Sequence, residues 1–87
     1  MWKVIFTKKA DKEFAKLSSE VRKIIAKAID QKLLIDPNRF LIPLIGDLSG
    51  FCKFRIGDYR LICKKEEEIL LITVIKVKHR KEVYKIN

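Results

Sequence analysis

Apolar and polar positions change their period along this chain, and each change predicts an element. Trp2-Lys3-Val4-Ile5-Phe6 alternates loosely as far as Thr7 and predicts a first strand. Thr7 can cap a short helix in which Ala10, Phe14 and Leu17 share one face while Lys8, Lys12, Glu13 and Lys16 lie outside it. Ser18-Ser19 ends that helix and caps a second, over residues 20–34, whose stripe is Val21, Ile24, Ile25, Ala28, Ile29 and Leu33. Its other face, with Arg22, Lys23, Lys27 and Gln31, is basic and solvated. Asp36-Pro37 stops it, because the residue before a proline avoids the α region. Such a helical hairpin can cover one face of a sheet.

Residues 38–49 read as a loop with a short apolar patch, Phe40-Leu41-Ile42, before Pro43. Two strands follow, residues 51–56 and 59–64, around Gly57-Asp58, a two-residue loop whose first-position glycine fits a type II′ turn. Counting outward pairs Ile56 with Tyr59, Arg55 with Arg60, Phe54 with Leu61, Lys53 with Ile62, and Cys52 with Cys63. Cross-strand partners share a face, so Lys53, Arg55, Arg60 and Lys64 gather on one side. Cys52, Phe54, Ile56, Tyr59, Leu61 and Cys63 fall on the other. Lys65-Glu66-Glu67-Glu68 is a charged turn into residues 69–75, a run apolar at nearly every position that predicts a central strand buried on both sides. The order strand, helix, helix, strand, strand, strand predicts one α+β domain over residues 1–87, a small antiparallel sheet of about four strands on an N-terminal helical hairpin.

The charge changes the picture. Twenty Lys and Arg against eleven Asp and Glu leave a net +9, which favours a polyanionic partner, nucleic acid first and an acidic protein second. Ten basic and five acidic residues in 1–40, and ten and six in 41–87, place that charge on the folded surface rather than in a tail. No secretory leader and no run long enough to span a bilayer is visible, which predicts a cytoplasmic protein with no membrane partner. Cys52 and Cys63 could form one disulfide across the hairpin, but in a reducing compartment they read as small core hydrophobes, and no CxxC motif or other recognisable ligand set for a metal accompanies the single histidine.

Like charges opposed in a sheet destabilise it by about 0.2–1 kcal/mol a pair, and Arg55 opposite Arg60 is such a pair. An anion between them reverses that sign, and arginine clusters suit phosphate. Metal-free RNA cleavage needs a base for the 2′-hydroxyl, cations for the charge developing on phosphorus, and an acid for the leaving 5′-oxygen. Lys53, Arg55, Arg60 and Arg80 supply the cations; Tyr84 can serve as base where cations beside it stabilise the phenolate. Lys64 and His79 are further phosphate-binding candidates. No paired-carboxylate site, nucleophile elbow or phosphate-cradling glycine loop is present, and no cofactor is implied.

Leu48-Ser49-Gly50, then Lys53-Phe54-Arg55-Ile56-Gly57-Asp58-Tyr59-Arg60-Leu61-Ile62, a hydrophobic strand, and His79-Arg80-Lys81-Glu82-Val83-Tyr84 resemble the RelE/ParE toxins of bacterial and archaeal toxin–antitoxin systems. The resemblance spans essentially the whole chain and implies a fold similar to microbial ribonucleases. RelE-like members cleave messenger RNA in the ribosomal A site and ParE-like members poison DNA gyrase; the residues here fit the RelE branch better. It implies a metal-independent endoribonuclease that inhibits translation, with the ribosome, mRNA and a cognate acidic, RelB-like antitoxin as partners. A gyrase inhibitor and a non-catalytic RNA- or protein-binding module are the alternatives. Carried over by position, Tyr84 would activate the 2′-hydroxyl, Arg60 would stabilise the phosphorane, and Arg80 would support the leaving group. Lys53 and Arg55 would hold the phosphates. Arg55 stands where some members have lysine, Lys78 where many have glycine, and the three residues after Tyr84 leave no C-terminal helix of the kind some members carry.

Overall fold

In the computed structural model, which describes residues 1–80, Thr7 and Ser18 cap the two expected helices. Strand β1 is Lys3–Phe6, α1 is Lys8–Ala15 and α2 is Ser19–Ala28. The Thr7 hydroxyl accepts the Ala10 N–H at 3.1 Å and the Ser18 hydroxyl accepts that of Val21 at 3.2 Å, each satisfying a donor that the first turn leaves open. Arg22 reaches back across the bend, donating to the Leu17 and Ala15 carbonyls at 2.5 and 3.2 Å.

The second helix departs from the expected continuous run over 20–34. Residues Ile29–Leu33 form a π-helical turn, in which the Leu34 N–H donates to the Ile29 carbonyl at 3.0 Å. Steps of four residues drift around a helix of about 3.6 residues per turn, and one wider turn reverses the drift, so Ile25, Ile29 and Leu33 stay aligned on the core. Ile24, expected in the stripe, lies at its margin and is 58% exposed. Asp36-Pro37 does stop the helix, and Pro37 then opens a single turn, α3 (Pro37–Phe40), at the first helical position, where its missing N–H costs nothing.

The sheet has five strands rather than about four, in the order β1-β5-β4-β3-β2. The additional strand is β2, Ile42–Pro43, inside the expected loop; it pairs with β3 (Cys52–Ile56) through Ile42 opposite Lys53 and Pro43 opposite Cys52. Strand β4 is Tyr59–Glu66 and β5 is Leu71–His79. The β3–β4 register is the one counted from the sequence, from Ile56 opposite Tyr59 to Cys52 opposite Cys63. Gly57 has φ +56° and Asp58 has no positive φ, as a type II′ turn requires. The β2, β3, β4 and β5 pairings are antiparallel, but β1 joins β5 in parallel, Val4 opposite Ile72, with the helical hairpin as part of the crossover.

One face of the sheet holds the core. Phe54, Leu61, Cys63, Ile72, Val74 and Val77 are buried against Ala10, Ile25, Ile29 and Leu33. Strand β5 is an inner strand, as expected, but it is buried on one face only because the helices cover only that side. It also begins later: Ile69 and Leu70 belong to the preceding turn, Leu70 with φ +51°. Both cysteines are free thiols; burial, with a smaller contribution from Cys52, pushes the Cys63 thiol from its ordinary value of 9.0 up to about 12. Among the described residues no helix is long and apolar enough to cross a membrane, and no cluster of three or more His, Cys, Asp or Glu could hold a metal.

Candidate nucleic-acid interface

The face of the sheet away from the helices carries cations in ranks. Arg55 on β3, Arg60 on β4 and Lys78 on β5 are opposed across the three strands; Lys53, Ile62 and Lys76 form the next rank. A bulge makes this possible. Ile62 pairs with Lys76 and Cys63 with Val74, so Ile75 is an extra residue on β5. Strict alternation from the buried Ile72 and Val74 would turn Lys76 and Lys78 into the core. With the extra residue, Val77 is buried instead and both lysines face outward.

Past Phe6, no strand among the described residues lies beside β5 on the β1 side, and groups from Thr7 and α1 take that place. The Thr7 hydroxyl donates to the Ile75 carbonyl at 3.3 Å, and Glu13 Oε1 accepts the Val77 N–H at 2.9 Å. The backbone between Lys76 and Lys78 is thus held by the helix on the other layer.

Lys53, Arg60, Lys76 and Lys78 line a groove of about 540 Å³. Ile62 and Ile75 lie among these cations, Leu44, Leu48 and Phe51 line the groove from the segment before β3, and among the described residues its single acidic lining residue is Asp47. Four half-buried cations around one open cavity attract a polyanion, and donors on several strands suit phosphate oxygens. Arg55, exposed, stands outside the groove at the end of its rank. Arg80 is placed at the hairpin loop: its N–H donates to the Asp58 carbonyl at 2.6 Å, and its guanidinium lies 3.9 Å from the Asp58 carboxylate with both side chains exposed.

The structure therefore brings Lys53, Arg55 and Arg60 together and sets Arg80 beside their loop. Lys64 shares the face but sits opposite Thr73, away from the groove. His79 does not lie with the cations. It shares the helix side with Tyr59, their rings edge to face at 5.0 Å, and both border a cavity of about 240 Å³ with Glu13, Lys16 and Leu17. Tyr84 and the motif from Lys81 onward fall outside the described residues. Lys76 and Lys78 are cations of the site that sequence reasoning misses; their signal is the charge–apolar–charge triplet Lys76-Val77-Lys78 closing an otherwise apolar strand.

Residues 4–84 match the family model described as ParE toxin of type II toxin-antitoxin system, parDE. The chain belongs to this ParE toxin family. Its similarities lie with RelE-type members. Toxin RelG of Mycobacterium tuberculosis is 28% identical over 82 residues, which is 94% of each chain. The toxin–antitoxin complex RelBE2 of the same organism contains a chain that superposes with a TM-score of 0.85 at 28% identity, over 91% of each chain. The isolated RelE toxin of E. coli superposes with a TM-score of 0.74 at 28% identity, over 98% of this chain and 93% of that one. The chain is a RelE-like toxin of a type II toxin–antitoxin system, and the open cationic face lies on the fold it shares with them.

Proposed function

We propose that this toxin is a ribosome-dependent endoribonuclease that cleaves messenger RNA in the ribosomal A site and so stops translation. The observation that carries the reading is the rank Arg55, Arg60 and Lys78 beside Lys53 and Lys76, a costly set of like charges on the face left open by the helices. A phosphodiester laid across these strands turns that repulsion into attraction. In the reaction, the 2′-oxygen bonds to phosphorus as the bond from phosphorus to the 5′-oxygen breaks. Tyr84, as its phenolate, takes the 2′-hydroxyl proton, Arg60 stabilises the doubly charged phosphorane, and Arg80 supports the departing 5′-oxygen, which takes its proton from water. Lys53 and Arg55 grip flanking phosphates. Preorganised cations of this kind are worth about 10²–10³ in rate each.

The partners follow from the same surface. The RelBE2 structure is a toxin–antitoxin complex, and a cognate acidic, RelB-like antitoxin is the partner here, neutralising charge that RNA requires. Mapping RNA ends on translating ribosomes tests the assignment: cuts are expected with the wild-type chain, severely reduced by Arg60→Ala or Tyr84→Phe. Gyrase inhibition with no ribosomal cuts would overturn it in favour of a ParE-like target.

A further inference from the structure

The groove has more apolar surface than a phosphate clamp uses. Leu44, Phe51, Ile62 and Ile75 are half-buried and Leu48 is 45% exposed, yet none of them belongs to the buried core or to the apolar side chains packed against it. Asp47 lines the same groove, on the turn Gly46–Leu48, and its carboxylate makes no hydrogen bond or ion pair among the described residues. A hydrophobic floor, one uncommitted carboxylate and four cations thus meet in one cavity of about 540 Å³.

We propose that the part of the groove lined by Leu44, Asp47, Leu48 and Phe51 binds one nucleobase of single-stranded RNA, stacked against Phe51, and that Asp47 selects guanine. The proposal rests on the RNA reading above and names the nucleotide which that site takes. The occupant follows from charge and donor pattern. The cations on β3, β4 and β5 fix a phosphate, so the group reaching Leu44, Leu48 and Phe51 on the segment before β3 is the base attached to it. A carboxylate offers only acceptors, and it is best met by two adjacent donors. Guanine presents N1–H and the 2-amino group side by side. Adenine and cytosine present one amino group beside a ring acceptor, and uracil a single N–H between two carbonyls, so each brings an acceptor against the carboxylate. An acceptor held against the carboxylate, which has only acceptors of its own, is what discriminates. Guanine also offers O6 and N7, acceptors suited to lysine and arginine.

Titration of the purified chain with 5′-GMP, 5′-IMP, 5′-AMP, 5′-CMP and 5′-UMP, followed by ¹H–¹⁵N NMR, tests this without the ribosome. The expected result is shifts at Asp47 and Phe51 as well as at the cations, with GMP tighter than AMP, CMP and UMP by about tenfold, the scale of a bidentate base contact. IMP, which lacks the 2-amino group, should lose most of that advantage. Asp47→Asn should bring the ratio of GMP to UMP affinity close to one, and Phe51→Ala should weaken all five by about tenfold through lost stacking. Equal affinities, shifts confined to the cations, or a GMP preference that survives Asp47→Asn would each overturn the proposal. Ribosomal cleavage with no base selectivity in the titration leaves the endoribonuclease reading standing and removes this one; guanine-selective binding with no cleavage does the reverse.

Discussion

The two faces of the β3–β4 hairpin are built from alternate residues of the same short segment, and they obey opposite rules. On the helix side Phe54, Leu61 and Cys63 are buried, and their neighbours fill space without a buried polar group. On the open side Lys53, Arg55 and Arg60 crowd like charges that no acidic residue on the opposed strand positions offsets. The first face lowers the free energy of the fold; the second raises it and leaves the molecule poised for an anion. Stability and function are separated here by one residue of register, so a substitution should disturb one or the other according to parity.

The largest expected effect is on the buried side. Phe54→Ala should destabilise the fold by about 3–5 kcal/mol, read as a lower midpoint in chemical denaturation. Arg60→Ala should do the opposite kind of damage, lowering cleavage on translating ribosomes by about 10²–10³ while the denaturation midpoint does not fall. A large loss of stability in that variant would break the division between the faces.

Cys63 sharpens it through pH. Its folded thiol is held at about 12 against an ordinary 9.0, so burial favours the neutral form and its stabilisation is complete below pH 9. As pH rises from 9.0 towards about 12 the unfolded thiol ionises first, and stability should fall by up to about 1.4 kcal/mol per pH unit. The difference in unfolding free energy between wild type and Cys63→Ala across that range isolates the effect from lysine titration. The smallest expected change is a gain: Arg55→Ala removes one member of the opposed pair and should raise stability by about 0.2–1 kcal/mol in low salt, vanishing in high salt.

Much of this division is legible in the amino-acid sequence alone. Gly57-Asp58 admits few hairpin geometries, and once the loop is two residues long alternation fixes which side chains share a face, so the register from Ile56 to Cys52 follows by counting. The helix caps are equally local. What escapes is whatever depends on counting across an interruption. The π turn at Ile29–Leu33 leaves the apolar pattern intact and so leaves no mark in it. The bulge at Ile75 reverses parity within a strand, and for that reason periodicity does not assign Lys76 and Lys78 to the groove. The two-residue strand Ile42–Pro43 is too short for periodicity to reveal, and the parallel pairing of β1 is set by the crossover rather than by its own residues. In the candidate site, Lys53, Arg55 and Arg60 do form one cluster, as alternation predicts, whereas Lys64 shares their face but not the groove and His79 is near them only in sequence and lies on the other side.

Glu13 has a consequence for how these molecules behave towards one another. A row of open backbone donors and acceptors along a sheet invites a second chain to pair there. Beyond Phe6, β5 has such a row towards α1, and the Glu13 carboxylate and Thr7 hydroxyl occupy it from within the same chain. Among the described residues, what remains as outer edge is the four-residue β1, the two-residue β2, whose Pro43 has no N–H to offer, and the last three residues of β3, which β2 does not reach. By occupying this stretch of β5 from within the same chain, Thr7 and Glu13 leave a sheet with an exposed cationic face less edge on which a second chain could add.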